Sequence, residues 1–506
     1  FQAEDGIRDS VASRGLGDVY KRQPEHHILI ALCEGLTSSN PKGGAALPGM
    51  AESWSISDDG KTYTFNINKD ARWSNGDKVT ADDFVWSWNR VLTPSLGSQY
   101  TDMLYYVEGA KDFYDGNIDD FSQVGVKAID DNTLEVVLNN PTPFFLGLLS
   151  HYSTWPVHKD TVLKHGTIDD RNGQWTRPGN FVCNGPMQLK SWELNNKIVV
   201  EKNPFYWDAQ TVKLNEIHFY PVTNIMTEDR MFRAGQLHST YTVPAQKCPV
   251  YIEEENPNLS ITPYMGTYFY RTNTLNPALK DAKVRKALAY SINREQIVKK
   301  VSQCGQLPAF SFTPPGANGY EPETEIPYDL DLARELLAQA GFPNGEGFPV
   351  LEILFNTSED HRKIALAVQQ MWQSALGINV ELVNMDWKVY LSRESSGDFQ
   401  ISRAGWIGDY EDPNTFLDLM MPDRGNNKTG WANLEYAELV NKANQTLDQD
   451  ERYALFRQAE KILIDELPII PIYTYVRPIQ LSPDVKGWDS NYLDHHHPKY
   501  IYLERD

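Results

Sequence analysis

Long apolar runs are missing from this chain. The longest, such as Ile28 to Cys33, fall far short of the roughly 18 residues a membrane-spanning helix needs. Cysteine is scarce: Cys33, Cys183, Cys248 and Cys304 form no CxxC pair, which argues against zinc or iron–sulfur ligation. In a chain of 506 residues they are too few for a disulfide scaffold, although one or two bridges stay open. Basic residues are outnumbered, 47 against 68 acidic, giving a net charge of −21. That excludes a protein whose main task is holding nucleic acid phosphates. The motifs HExxH and GxSxG and a complete P-loop are absent, so nothing in the sequence demands an enzyme. Internal repeats and low-complexity linkers are absent too.

What is present is a hydrophobic fraction of 41%, enough for sizeable cores, and 12% aromatic residues with 13 Trp and 26 Tyr. Tyr and Trp join an apolar face to a polar tip, which suits ligand contacts as well as cores. The length suggests about three domain-sized units. Phe1 to Gln23 shows no sustained period and resembles translated sequencing-adaptor read-through. It is read as a non-native tail standing where a native signal sequence would be.

Local signals sharpen after Pro24. Ser57-Asp58-Asp59-Gly60 is a turn before a strand at Thr62 to Ile67. Thr80 to Asp83 is a capping box opening a helix through Phe84, Trp88 and Leu92, and Asn132 to Leu138 returns as a strand. Beyond about residue 280 come helices over Val284–Val301 and Leu330–Ala340. A βαβ unit follows: strand Leu351–Phe355, helix Glu359–Leu376, strand Ile378–Val383. A short strand at Phe399–Ala404, helices near Leu434–Leu447 and Asp450–Leu463, and an extended run Ile469–Val476 complete the pattern. His495-His496-His497 is read as a surface loop, because adjacent side chains on an extended chain point in alternating directions and do not converge on one metal ion.

The most specific segment is Phe399 to Asp418, FQISRAGWIGDYEDPNTFLD. It resembles the R-A-G-W-x-x-D-Y-x-x-P segment of bacterial extracytoplasmic solute-binding protein family 5, whose peptide-binding members serve ABC importers. Trp73-Ser74-Asn75-Gly76-Asp77 with Thr80-Ala81-Asp82-Asp83-Phe84, Asn203-Pro204-Phe205-Tyr206-Trp207, Pro314-Pro315 and Asn356-Thr357-Ser358 match in order. The resemblance runs from Pro24 to Asp506. It implies an α/β, two-lobed periplasmic-binding-protein fold (type II, cluster C) with an extra domain in the N-terminal lobe. Lobe I would comprise 24–38, 160–264 and 477–506, the extra domain 39–159, and lobe II 265–476.

By the same resemblance the protein captures oligopeptides in a closing cleft and delivers them to an ABC permease and its ATPase subunits. It acts as a monomer outside the cytoplasm, periplasmic or lipid-anchored, with no cofactor, metal or nucleic acid. Asp409 would meet the ligand α-ammonium in a charge-assisted hydrogen bond. Arg403 would take the carboxylate of shorter peptides, and His361 is associated with the C-termini of longer ones. Trp406, Trp387 and Tyr100 would line the cleft, with Tyr241 and Phe269 as weaker candidates, and Gly405 would let the backbone approach the ligand. Two departures stand out. A disulfide of some relatives would join the positions of Ile407 and Gly266, and an acidic family position is Arg271 here. Binders of dipeptides, murein peptides or metal chelates share the superfamily. A hydrolase acting on glycans and a chaperone-like binder of unfolded chains are the readings from other classes.

Overall fold

The computed structural model describes residues 23–504 except Gln99 and Asp423, with side chains from His26 onward. The segment read as a non-native tail lies outside the described residues apart from Gln23. The chain divides into two compact units: the described residues up to Glu228 with those from Ser482 on, and Asp229–Leu481.

In the first unit, helix α1 (Gln23–Leu32) buries Ile28 to Leu32 almost completely, so its apolar run is a core helix. Strands β1 (Ala51–Ile56), β2 (Thr62–Ile67), β3 (Val126–Asp130) and β4 (Thr133–Val137) form an antiparallel sheet ordered β1-β2-β4-β3. The expected turn joins β1 to β2, with Gly60 at φ 71°. Helix α2 (Ala81–Leu92) starts from Thr80 with both halves of the capping box made, and buries Phe84 and Trp88. A second sheet holds β5 (Met187–Glu193), β6 (Lys197–Lys202) and β7 (Glu216–Phe219). A disulfide joins Cys33, just after α1, to Cys183. Beside it, buried Glu34 accepts from the Tyr206 hydroxyl and the Trp207 indole and pairs with Lys499 at 3.2 Å.

The three consecutive histidines correct the sequence reading: they are buried, not on a surface loop. The alternation that keeps them off one ion sends each to its own partner. His495 Nδ1 lies 2.8 Å from Ser39 Oγ, His496 Nε2 lies 2.8 Å from Asp494, and His497 Nε2 lies 3.2 Å from Ser38 Oγ. His26 of α1 stacks on His495 at 4.1 Å. Among the described residues no cluster could hold a metal ion.

The second unit is built on a six-stranded sheet of β8 (Leu259–Thr272), β9 (Leu307–Pro308), β10 (Leu351–Asn356), β11 (Val380–Met385), β12 (Ile401–Ile407) and β13 (Ile469–Gln480). The order is β9-β13-β8-β12-β10-β11. The β10-to-β11 connection is the expected parallel βαβ unit, with α5 (Glu359–Leu376) between its strands. The α5 bounds agree with the sequence because Ser358 caps one end and Gly377, at φ 70°, ends the other. The long helix expected over Val284–Val301 is instead α3 (Ala282–Tyr290), a break, and α4 (Arg294–Ile297) running into one π-turn. Asn293 causes the break, since its side chain accepts the Gln296 N–H as a new N-cap. Later helices are α6 (Trp387–Ser395), α7 (Leu434–Asn444) and α8 (Gln449–Glu466). The second disulfide, Cys248–Cys304, is buried with Val243 and Tyr251. Among the described residues no helix is long and apolar enough to cross a membrane.

Candidate functional site

The second unit holds most of the residues singled out by sequence, four of them (Arg403, Gly405, Trp406 and Asp409) on β12 and the loop after it. In the antiparallel pairing of β8 with β12, Tyr268 lies opposite Gly405, Tyr270 opposite Arg403, and Gly266 opposite Ile407. Partners in such a ladder project to one face, so Arg403 and Gly405 share a face with Tyr268 and Tyr270. The β8–β13 register adds Tyr473 opposite Tyr268. The two rings stack at 4.8 Å, and Tyr475 lies 5.2 Å from Tyr473.

Arg403 sits inside this group of tyrosines. Its guanidinium lies 4.8 Å from the Tyr268 ring and donates to the Tyr475 hydroxyl at 3.0 Å. It forms no ion pair among the described residues, and its Nε is buried without a hydrogen-bond partner. Burial pulls the guanidinium pKa down and the surrounding tyrosine oxygens push it up; the net direction is up, so the charge is retained. A retained, partly desolvated cation with donors to spare is suited to a carboxylate.

Gly405 leaves room for its neighbours. A Cβ there would lie 2.6 Å from the Tyr475 hydroxyl and 3.4 Å from Arg403 Nη2, so the missing side chain is what lets those two groups meet. His361 stands in the first turn of α5, its ring 5.7 Å from Tyr268. Burial lowers its pKa well below the ordinary value, and the Arg403 charge lowers it further. It is therefore neutral near pH 7, with a buried Nδ1 that has no partner among the described residues.

Asp409 lies on a loop held by hydrogen bonds and an ion pair. The Gly408 N–H donates to the Met265 carbonyl at 2.8 Å, and the Asp409 N–H to Thr415 Oγ1 at 3.0 Å. Asp412 holds both guanidinium nitrogens of Arg452 in α8 at 2.7 and 2.6 Å. Trp406 belongs to this brace: it is buried on the face opposite Arg403 and donates its indole N–H to the Thr415 carbonyl at 2.8 Å. Phe269 shares that opposite face, fully buried and edge-on to Phe312 at 5.1 Å, which makes it a core side chain of the sheet.

Trp387 opens α6 and stacks on Tyr390 at 5.5 Å. The Tyr390 hydroxyl donates to the backbone carbonyl of Arg403 and lies 2.9 Å from Glu394, so Trp387 adjoins the strand through Tyr390. Tyr241 carries the Arg477 guanidinium 4.2 Å over its ring, and Arg477 lies 6.0 Å from Tyr264, itself 6.5 Å from Tyr475. Tyr100 belongs to the first unit, where it is buried 5.1 Å from His151. Arg271 does not leave a new charge in the site. It points to the opposite face and pairs with buried Glu394. Ile407 fills the space across from Gly266, where a Cβ would already collide with its Cδ1.

Sequence reasoning missed Tyr264, Tyr268, Tyr473 and Tyr475. Their signal was the period-two spacing of Tyr268 with Tyr270 and of Tyr473 with Tyr475, legible only once the two runs are known to pair.

A profile of the family described as Bacterial extracellular solute-binding proteins, family 5 Middle matches residues 45–428. The chain is 39% identical over 470 residues to the Oligopeptide-binding protein OppA of Bacillus subtilis, covering 90% of this chain and 84% of that one. It is 37% identical over 495 residues to the Periplasmic oligopeptide-binding protein OppA of Salmonella typhimurium, covering 95% and 88%. Among solved structures, the Escherichia coli murein tripeptide binding protein MppA superposes with a TM-score of 0.90 at 33% identity, over 98% of this chain and 97% of that one. Haemophilus influenzae OppA in complex with RPPGFSPFR gives 0.87 at 33% identity, over 98% and 97%. With profile, sequence and fold in agreement, the chain belongs to the bacterial extracellular solute-binding proteins of family 5.

Proposed function

We propose that this protein is the extracytoplasmic substrate-binding subunit of an ABC importer and captures oligopeptides by their backbone and charged termini, without catalysis. The observation that carries this reading is Arg403: a charged guanidinium with no carboxylate partner, among tyrosine hydroxyls, on the strand leading into the braced Asp409 loop. A cation and a carboxylate on one rigid strand–loop unit match a zwitterion, and Asp409 takes the α-ammonium while Arg403 takes the carboxylate. Names of relatives support the ligand class, since OppA proteins are described as oligopeptide-binding. The two disulfides support an oxidising, extracytoplasmic setting. Partners of the peptide-loaded protein are the permease and its ATPase subunits, and the protein works as a monomer.

Arg403→Ala tests the carboxylate end. Calorimetric titration with a free tripeptide should lose about tenfold to a hundredfold in affinity in this variant, the worth of one charge-assisted contact. The C-terminally amidated tripeptide should bind both proteins alike. Equal loss for the two ligands would remove Arg403 from carboxylate recognition. The shorter murein peptide remains the second reading, favoured by the TM-score of 0.90 to MppA, and a murein tripeptide belongs in the same titration.

A further inference from the structure

The second unit has a cavity of about 700 Å³ lined by the starts of β10, β11 and β12, the end of α6 and the segment around Lys428. The cavity takes in Phe399 and Gln400 just before β12, so it lies at the end of that strand away from Asp409, with Arg403 three residues on from Gln400. Its volume is in the range of small-molecule sites.

The charged groups lining it divide into two kinds. Arg393 is paired, with Glu352 at 2.9 Å and Asp398 at 3.0 Å. Lys428 and Glu381 are not: neither side chain makes a hydrogen bond or ion pair among the described residues. Gln400 uses only its carbonyl oxygen, accepting the Glu352 N–H at 2.6 Å, which leaves its amide N–H groups for a ligand. Leu275 and Val350, 75% and 48% exposed, supply apolar wall in the same cavity. Burial lowers the pKa of Lys428 and the Arg271 charge lowers it further, against a smaller opposing effect of the Glu394 carboxylate.

We propose that this cavity is a second ligand site, for a zwitterionic amino acid with an apolar side chain. Lys428 and the Gln400 amide receive its carboxylate, Glu381 its ammonium, and Leu275 and Val350 its side chain. An acid lacking the ammonium would leave Glu381 opposed to its own charge. An amine lacking the carboxylate would leave Lys428 as it stands, unpaired. The site uses neither Asp409 nor Arg403.

Calorimetric titration with L-leucine tests the proposal, run beside leucinamide and N-acetyl-leucine. Saturable leucine binding is expected to persist in Asp409→Ala. It should fall about tenfold or more in Lys428→Gln and in Glu381→Gln, each checked for an unchanged thermal transition. Both blocked ligands should bind at least tenfold more weakly than leucine. Absence of leucine binding, binding abolished by Asp409→Ala, or binding indifferent to Lys428→Gln and Glu381→Gln would each overturn the assignment.

Discussion

Gly405 is the residue whose substitution separates site geometry from stability. A methyl group there meets the Tyr475 hydroxyl at 2.6 Å and pushes it from Arg403, yet the position is exposed and no core packing is lost. Gly405→Ala is therefore expected to weaken peptide binding by about tenfold while changing stability by less than ~1 kcal/mol. Titration with a free tripeptide and chemical denaturation read the two effects separately. Glu460 acts on stability instead. Its buried carboxylate accepts the N–H groups of Phe312 and Thr313 at 3.0 and 2.7 Å and the Tyr320 hydroxyl at 2.8 Å. Burial outweighs these bonds and raises its pKa from 4.5 to about 7. Between those values the folded state holds the proton more tightly than the unfolded one. The stabilisation is complete below 4.5 and is lost as pH rises through 7, a change of about 3 kcal/mol. Denaturation curves across pH 4–8 should show this decline, and Glu460→Gln should flatten it.

At the scale of elements, α1 and the segment 494–499 form a histidine-rich contact whose titration runs the other way. Burial and neighbouring histidines lower the pKa of His26 well below 6.5, burial and the Lys499 charge do the same to His497, and His495 is lowered to about 3. Their stabilisation is present above 6.5 and is lost as pH falls, because the unfolded chain takes up protons first. The first unit is therefore expected to melt at lower temperature at pH 4.5 than at pH 7, and His495→Gln should reduce the difference. A calorimetric scan at the two pH values checks this. The same contact shows where sequence reading stops. Alternation implied a separate direction for each of the three histidines, but nothing local revealed that Ser38, Ser39 and α1 would cover them. By contrast α5 was fully legible, because Ser358 and Gly377 carry its stop signals in the sequence itself. Asn293 carried such a signal as well, an N-cap inside an apolar period, and there the cap prevailed over the period.

For the whole molecule, the fold class and family were readable because ordered motifs run along the chain and the pattern turns to βαβ in its second part. The pairing of Cys33 with Cys183 and of Cys248 with Cys304 was not, since bridges spanning 150 and 56 residues depend on tertiary proximity alone. The site was legible in part. Asp409, Arg403 and Gly405 follow from one contiguous motif, whereas the tyrosines around Arg403 come from β8 and β13, which are far apart in sequence. Trp406 and Phe269, one residue out of phase with Arg403, fall on the other face of the sheet, as a period of two requires. The central claim is recognition of a free α-amino group by Asp409. Its most direct test is calorimetric titration of one tripeptide against its N-acetylated twin, in the native protein and in Asp409→Ala. Binding of the free peptide that falls at least tenfold on acetylation, and equally in the variant, is the predicted result. Equal affinity for the two peptides in the native protein would contradict it.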